Sequence, residues 1–122
     1  MVVVKLITIA YIAFFFFAGL NHFINPNFYD SIVPNYIPFP RFTHYLVGVI
    51  EMIIPFLLLT RFKNITAIFM IFFIVILYLG NLHVWFNGLP YGNIYFTNIQ
   101  HFIRFLLQLL LIYITYIIYK YG

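Results

Sequence analysis

Residues 42–59 read FTHYLVGVIEMIIPFLLL, an apolar run with one carboxylate, Glu51, near its middle. The run has the length and composition of a membrane-spanning helix, and the hydrocarbon core of a bilayer cannot hydrate a carboxylate. Glu51 is therefore expected to face a protein interior, to pair with another group or to keep its proton. Arg104 is the one cation far from any predicted loop, so we expect it to be the partner of Glu51.

The composition places the whole chain in a membrane. Of its 122 residues, 66% are hydrophobic, 24% are aromatic and 7% are charged, and the mean hydropathy is +1.06. Soluble domains carry about one quarter charged residues. The net charge of +4 comes mainly from cations near the ends of apolar runs, so it predicts topology and not nucleic-acid binding. The chain contains no cysteine, which excludes disulfide exchange and thiolate metal sites for this chain alone.

Four apolar stretches each predict one spanning helix: residues 2–23, 42–59, 65–86 and 99–119. The predicted fold is all-α, a four-transmembrane-helix bundle formed by a single domain over residues 1–122. The connection 24–41 holds four prolines and is predicted to be an irregular proline-rich loop between helices one and two. Its apolar side chains predict that it folds over the outer mouth of the bundle as a lid, with His22 beneath it near His101.

The cations predict the orientation. Those on the side of both termini and of the short middle turn are Lys5, Arg61, Lys63 and Lys120. Arg41 is the only loop cation on the other side, where Asp30 offsets it. The positive-inside rule therefore predicts a multi-pass protein of a bacterial-type plasma membrane with both termini in the cytoplasm.

The polar residues of the predicted spans fall in the outer half of the bundle under this topology. They are His22, His44, Glu51, Asn81, His83, His101, Arg104 and Gln108. The spacing i, i+3, i+7 puts His101, Arg104 and Gln108 on one helix face, and His44 and Glu51 share a face of another helix. Counting about 1.5 Å per residue from the outer ends puts Glu51 and Gln108 roughly 13 Å deep and Arg104 about 8 Å deep. We therefore predict two facing polar stripes around an outward-opening ligand-binding or proton pocket.

Two residues beside Glu51 predict the local shape of its helix. Gly48 has no side chain and allows the close approach of another helix. Pro55 lacks an amide donor and predicts a kink below the carboxylate.

Other interpretations of the polar residues remain open. Glu51 and Arg104 can pair only to specify helix packing. The four histidines lie on different predicted spans and no pair has ligand spacing, so no metal or haem site is predicted. The aromatic excess, 17 Phe and 11 Tyr, is typical of lipid-facing bulk and interfacial belts rather than of a stacking platform for a quinone.

An ordered set of residues resembles the pattern of small DoxX-like membrane proteins. The set is Gly19, His22, Phe23, Pro26, Tyr29, Ile32, Val33, Pro34, Pro38, Pro40, Gly48, Glu51, Arg61, Ala67, Asn81, His83, Arg104 and Gln108. It runs nearly end to end, and its specificity comes from the order of its members. The family pattern often has a proline two residues after the arginine, where this chain has Leu106, and that departure concerns the local shape of the helix.

The resemblance implies a four-helix bundle of the DoxX superfamily. Its relatives are linked to quinone-coupled thiosulfate oxidation, to membrane redox assemblies, to methylamine dehydrogenase maturation and to receptor assembly. Because these roles differ, the resemblance predicts the architecture better than a reaction. The chain has no dinucleotide fingerprint, and we do not expect it to be an enzyme on its own.

Two functions are therefore expected. The first is a non-catalytic or accessory subunit of a membrane redox or maturation complex, whose pocket holds a quinone head, a small anion or a proton. The second is a membrane assembly factor or structural protein whose polar cluster only specifies helix packing. The expected partners are the lipid bilayer and other membrane redox subunits, and the sequence assigns no catalytic residue, tightly bound cofactor or oligomeric state.

Overall fold

The computed structural model describes residues 2–122 and confirms the predicted bundle of long apolar helices. The chain forms α1 (Val2–Ile24), a short α2 (Pro26–Asp30), α3 (Pro40–Ile53) with a 3-10 continuation (Ile54–Leu59), α4 (Lys63–Phe86) and α5 (Asn98–Tyr121). Four of these segments are long and apolar enough to cross a membrane, with α3 and its continuation counted as one span. Large apolar side chains cover their outward faces, as lipid contact requires. The protein is therefore a small multi-pass membrane protein.

The four spanning segments pack in a ring, in which α3 lies along α1 and α4 lies along α5. The half of the bundle that contains both termini holds an apolar core that includes Tyr11, Phe15, Met70 and Ile74. A buried hydrogen bond of 2.8 Å joins the Tyr11 hydroxyl to Thr115 Oγ1 and ties α1 to α5 there. In this ring α3 and α5 lie on opposite sides of the half that carries the two long loops.

The packing of α3 on α1 depends on two glycines. A Cβ atom added at Gly48 would lie 2.9 Å from the carbonyl oxygen of Gly19, and a Cβ added at Gly19 would collide with the carbonyl oxygen of Gly48. Only hydrogen side chains allow this backbone approach. The predicted role of Gly48 in close helix packing therefore holds, and the helix that approaches it is α1.

Pro55 changes the course of the second span. The α-helix ends at Ile53, and the 3-10 helix that follows contains Pro55 as a buried residue. A proline cannot donate the amide hydrogen bond that an α-helix needs at this position. The predicted distortion below Glu51 thus takes the form of a tighter helix.

The connection between α1 and α3 is not wholly irregular, because its first residues form α2. Pro26 occupies the start of α2, where a missing amide donor costs nothing. The connection packs against the α4–α5 loop through the stacked rings of Phe28 and Tyr91, whose ring centres are 5.0 Å apart. The Gly92 amide of that loop also donates a hydrogen bond to Ser31 Oγ at 3.0 Å. These two loops together cover one end of the bundle.

Candidate functional site

Glu51 lies beside His22 and not beside Arg104. The atoms His22 Nε2 and Glu51 Oε1 are 2.9 Å apart, and both side chains are only 8% exposed. Glu51 Oε1 nevertheless receives no well-aligned hydrogen bond from residues 2–122. The ion pair expected between Glu51 and Arg104 is absent from the salt bridges of the described chain. The reason is that α3 packs along α1, which brings His22 rather than the α5 side chains against the carboxylate.

Arg104 is held by an amide and by aromatic rings. Its Nη2 donates to Asn81 Oδ1 at 3.0 Å, and its guanidinium carbon lies 4.8 Å from the centre of the Tyr91 ring and 5.6 Å from that of Phe96. The Tyr91 hydroxyl donates to the same Asn81 oxygen at 2.7 Å. A capping box between Thr97 and Gln100 fixes the start of α5 and so the place of Arg104 one turn later. The Nε donor of Arg104 is buried and finds no acceptor among residues 2–122.

A cavity of about 250 Å³ separates Glu51 from Arg104. Its polar lining comes from His22, Tyr29, Glu51, Asn81, Arg104 and Gln108, and apolar side chains of all four spans complete the wall. The carboxylate and the guanidinium therefore face one shared space without touching. Five of the eight predicted site residues thus line this cavity, whereas His44, His83 and His101 do not. That the cavity binds a ligand or a proton stays a prediction.

His44 links the buried pair to the loop. Its Nδ1 lies 3.3 Å from His22 Nδ1, and its Nε2 lies 2.8 Å from Asp30 Oδ1. Arg41 binds the same carboxylate with two donors, at 2.7 and 3.1 Å. Hydrogen bonds from Arg41 and from His44 lower the pKa of Asp30 from its usual value, against a smaller opposing effect of burial, so Asp30 is a carboxylate at neutral pH.

His101 and His83 do not line this cavity. His101 is 5% exposed and stacks on Trp85 with ring centres 5.3 Å apart, close to Tyr91 and Phe96. His83 lies near Asn87, whose side-chain amide is 3.3 Å from His83 Nδ1. The expectation that His22 lies near His101 is wrong, because His22 instead stacks on Tyr29 at 3.7 Å and meets His44. His83 and His101 thus shape the loop end of α4 and α5.

A second, apolar cavity of about 190 Å³ adjoins the first. The two cavities share wall residues, among them His22, Tyr29 and Val47. The far side of the apolar cavity is formed by the α1–α3 connection, through Val33, Pro34 and Ile37 among others. The connection therefore roofs the bundle, with the exposed ring of Tyr36 on its outer surface.

Three residues of the site were not expected from the sequence: Tyr29, Asp30 and Tyr91. Tyr29 covers His22, Tyr91 covers Arg104, and burial raises the pKa of both hydroxyls above the usual value, so both stay protonated. Asp30 offered one signal, since it is the only acidic residue besides Glu51 in the chain. Tyr29 belongs to the DoxX-like set, but no spacing rule connects a loop tyrosine to a helix face, so it received no role. Tyr91 carried no signal in the sequence.

Within residues 2–122 no group of three or more His, Cys, Asp or Glu side chains could hold a metal ion. The polar groups available at the cavity are those that hold oxygen-bearing molecules. They are a cation, two amides, a phenol hydroxyl and a carboxylate with a histidine beside it.

Comparison with known proteins adds a family. The model of the family described as "Domain of unknown function (DUF8561)" matches residues 11–119, which include every residue of the candidate site. No curated protein and no solved structure matches the chain.

Proposed function

We propose that this chain, which belongs to the DUF8561 family, is an accessory membrane subunit whose outward-facing cavity holds the polar head of a small amphipathic molecule. The observation that carries the proposal is the cavity of about 250 Å³ that has Glu51 and Arg104 in its wall and no contact between them. The proposal places both termini in the cytoplasm, so that the cavity opens toward the outer leaflet of a bacterial-type plasma membrane.

Unused hydrogen-bonding capacity supports a ligand more than a packing role. Burying ionisable residues inside a membrane costs free energy, and a pair with only a structural role is expected to form a direct ion pair that offsets part of this desolvation cost. Here Arg104 Nε has no acceptor among residues 2–122, and Glu51 Oε1 has no aligned donor. A molecule in the cavity could accept from the guanidinium and donate toward the carboxylate. These needs describe the head of a quinol, whose hydroxyl groups can accept at one end and donate at the other. An oxidised quinone only accepts, so it suits the same space when Glu51 is protonated and donates to it.

The adjoining apolar cavity supports an amphipathic ligand. Its wall surface is almost wholly apolar, although His22, His44 and Thr43 contribute to it, and it shares part of its wall with the polar cavity. A ring or tail entering there would bury apolar surface while its polar end reached Arg104. In this arrangement Arg104, Asn81 and Gln108 would hold the head, Glu51 and His22 would face its other end, and a quinone would supply redox chemistry to a partner subunit.

The DoxX-like relationship is part of this proposal. Several residues on which the resemblance rests, including His22, Tyr29, Glu51, Arg104 and Gln108, line the same cavity. A pattern scattered along the sequence therefore converges on one space, which supports a shared ligand-binding or redox-complex role.

An assembly or structural role is the second candidate, and the bonding of Arg104 supports it. Asn81, Tyr91 and Phe96 already surround the guanidinium from α4 and from the loop. A cluster of this kind can hold α4 and α5 in register without a ligand.

The two candidates are separated by purifying the full chain in mild detergent and titrating it with a short-chain ubiquinone while its thermal unfolding is followed. A ligand that binds only the folded state raises the unfolding temperature in a saturable way. We expect such a rise for the wild type, its loss in Arg104→Gln, and its retention in Lys120→Gln, which removes the same charge from the exposed last turn of α5. Absence of stabilisation in the wild type, together with a protein partner that co-purifies without any chromophore, would support the assembly role instead.

A further inference from the structure

The only two acidic residues of the chain are joined by two histidines. From the loop inward the order is Asp30, His44, His22 and Glu51, with separations of 2.8 Å, 3.3 Å and 2.9 Å between neighbouring polar atoms. Each histidine uses one ring nitrogen toward each neighbour. The row is therefore continuous and unbranched from the loop to the cavity.

We propose that these four side chains form a proton relay between the outer aqueous surface and the central cavity. The inference rests on the contacts within the row and requires no particular ligand, so it goes beyond the proposed ligand binding. Its outer end is accessible to water, since the Asp30 side chain is 32% exposed, whereas the His44 side chain is only 3% exposed. Its inner end, Glu51, lies in the wall of the cavity.

Three protons on the row give two arrangements. Both require the Glu51 carboxyl group to turn toward His22 Nε2, because Glu51 Oε1 lies 2.9 Å from that atom without an aligned hydrogen bond. In the first, Glu51 is protonated and donates to His22 Nε2, His22 Nδ1–H donates to His44 Nδ1, and His44 Nε2–H donates to the Asp30 carboxylate. In the second, the Glu51 proton has moved to His22 Nε2 and the His22 Nδ1 proton has moved to His44 Nδ1. His44 is then a cation beside Asp30, and Glu51 is a carboxylate. Two N–H or O–H bonds break and two form, so charge and protons balance.

The arrangement is completed by release of a proton from the outer end. The His44 cation can pass its Nε2 proton to Asp30 and so to water, and the reverse sequence delivers a proton to the cavity. Each step covers a single hydrogen-bond distance, which is the range over which side chains transfer protons.

The groups that surround the row keep it separate from other proton carriers. Tyr29 stacks on His22, and its hydroxyl accepts a hydrogen bond from Asn21 at 2.7 Å. Arg41 holds the carboxylate of Asp30 by two hydrogen bonds. On the inner side the groups that face Glu51 across the cavity are Arg104 and Gln108 of α5 and Asn81 of α4. None of these three exchanges a proton readily at neutral pH, so the histidines are the route to the carboxylate.

Infrared spectroscopy of the full chain in lipid vesicles provides the test. The band of a protonated side-chain carboxyl group can be assigned to Glu51 by its loss in Glu51→Gln, because Glu51 is the only glutamate. After transfer to heavy water we expect this band to shift quickly in the wild type and more slowly in His44→Phe, by on the order of tenfold or more. His101→Phe is the matched control, since His101 is buried equally well but lies outside the row, and its exchange should equal that of the wild type. An unchanged rate in His44→Phe, or no protonated Glu51 at any pH from about 4 to 8, refutes the relay.

A measurement on the wild type alone covers the case in which His44→Phe does not fold. With ¹⁵N-labelled histidine, the relay requires that one Nδ1 of the His22 and His44 pair carries a proton and the other does not. If both Nδ1 atoms are unprotonated at every pH, no proton lies between the rings and the relay fails. Quinone binding is tested separately with the Arg104→Gln variant. If the protein binds quinone but the Glu51 proton does not exchange through the row, the relay is refuted and the proposed ligand binding stands.

Discussion

Replacing Gly48 by alanine tests the helix crossing that places His22 against Glu51. An added Cβ would lie 2.9 Å from the Gly19 carbonyl oxygen, 3.0 Å from His22 Cβ and 3.2 Å from a ring carbon of Phe23. The first of these atoms belongs to the backbone, so no side-chain rotation removes the clash. Because carbon atoms pack best at about 3.5–4.0 Å, the 3.0 Å contact with His22 Cβ requires α1 and α3 to separate by roughly 0.5–1 Å.

The expected loss follows from two opposing contributions. Overpacking of a tight contact costs about 1–3 kcal/mol, and the backbone clash places Gly48→Ala in the upper part of that range. Alanine gains about 1 kcal/mol over glycine within a helix. The net destabilisation is therefore about 1–2 kcal/mol, a change of about 5-fold to 30-fold in the unfolding equilibrium.

The assay is unfolding in mixed micelles by titration with a denaturing detergent, followed by circular dichroism. Val49→Ala is the matched control, because Val49 is the next residue of α3 and is 41% exposed toward lipid. Gly19→Ala should destabilise the protein at least as much as Gly48→Ala, since its added Cβ also meets Met52 Cγ at 2.7 Å. Equal stability of Gly48→Ala and Val49→Ala would contradict the described crossing.

Three further predictions concern other parts of the molecule. Hydrogen bonds to Arg41 and His44 lower the folded-state pKa of Asp30, so Asp30 stabilises the folded chain above its unfolded pKa of about 3.9, and this contribution is lost as the pH falls through the lower folded value. Asp30→Asn should therefore make the unfolding temperature less dependent on pH below about 4, and an unchanged dependence would contradict the pairing. Tyr11→Phe removes the hydroxyl bonded to Thr115, whose own hydroxyl keeps its bond to the Leu111 carbonyl. The free energy of unfolding should therefore fall by only about 0.6 kcal/mol in the same assay, and a fall above about 2 kcal/mol would disagree. Single cysteines introduced at the exposed positions Asn35 and Asn64 of this cysteine-free chain should react with an impermeant reagent added outside intact cells only at position 35, and the reverse labelling would invert the proposed orientation.

The apolar pattern of the sequence was sufficient for the architecture. The predicted spans 42–59 and 65–86 correspond to Pro40–Leu59 and Lys63–Phe86 in the structure, with ends that differ by two residues or fewer. A bilayer requires every backbone polar group to be bonded within its own helix, so a long apolar run has one stable outcome. The same reasoning placed Glu51 and Arg104 in a protein interior, and both line one cavity in the structure, although the direct pair predicted between them is absent.

The partners of these side chains were decided by tertiary structure. Helical spacing states which residues share a face, but not which neighbouring helix that face meets. The close approach at Gly19 and Gly48 set α3 against α1, so Glu51 meets His22 at 2.9 Å while Arg104 remains across the cavity. Asp30 likewise joined the site only because the loop folds back over the bundle, a long-range event that leaves no periodic trace in the sequence.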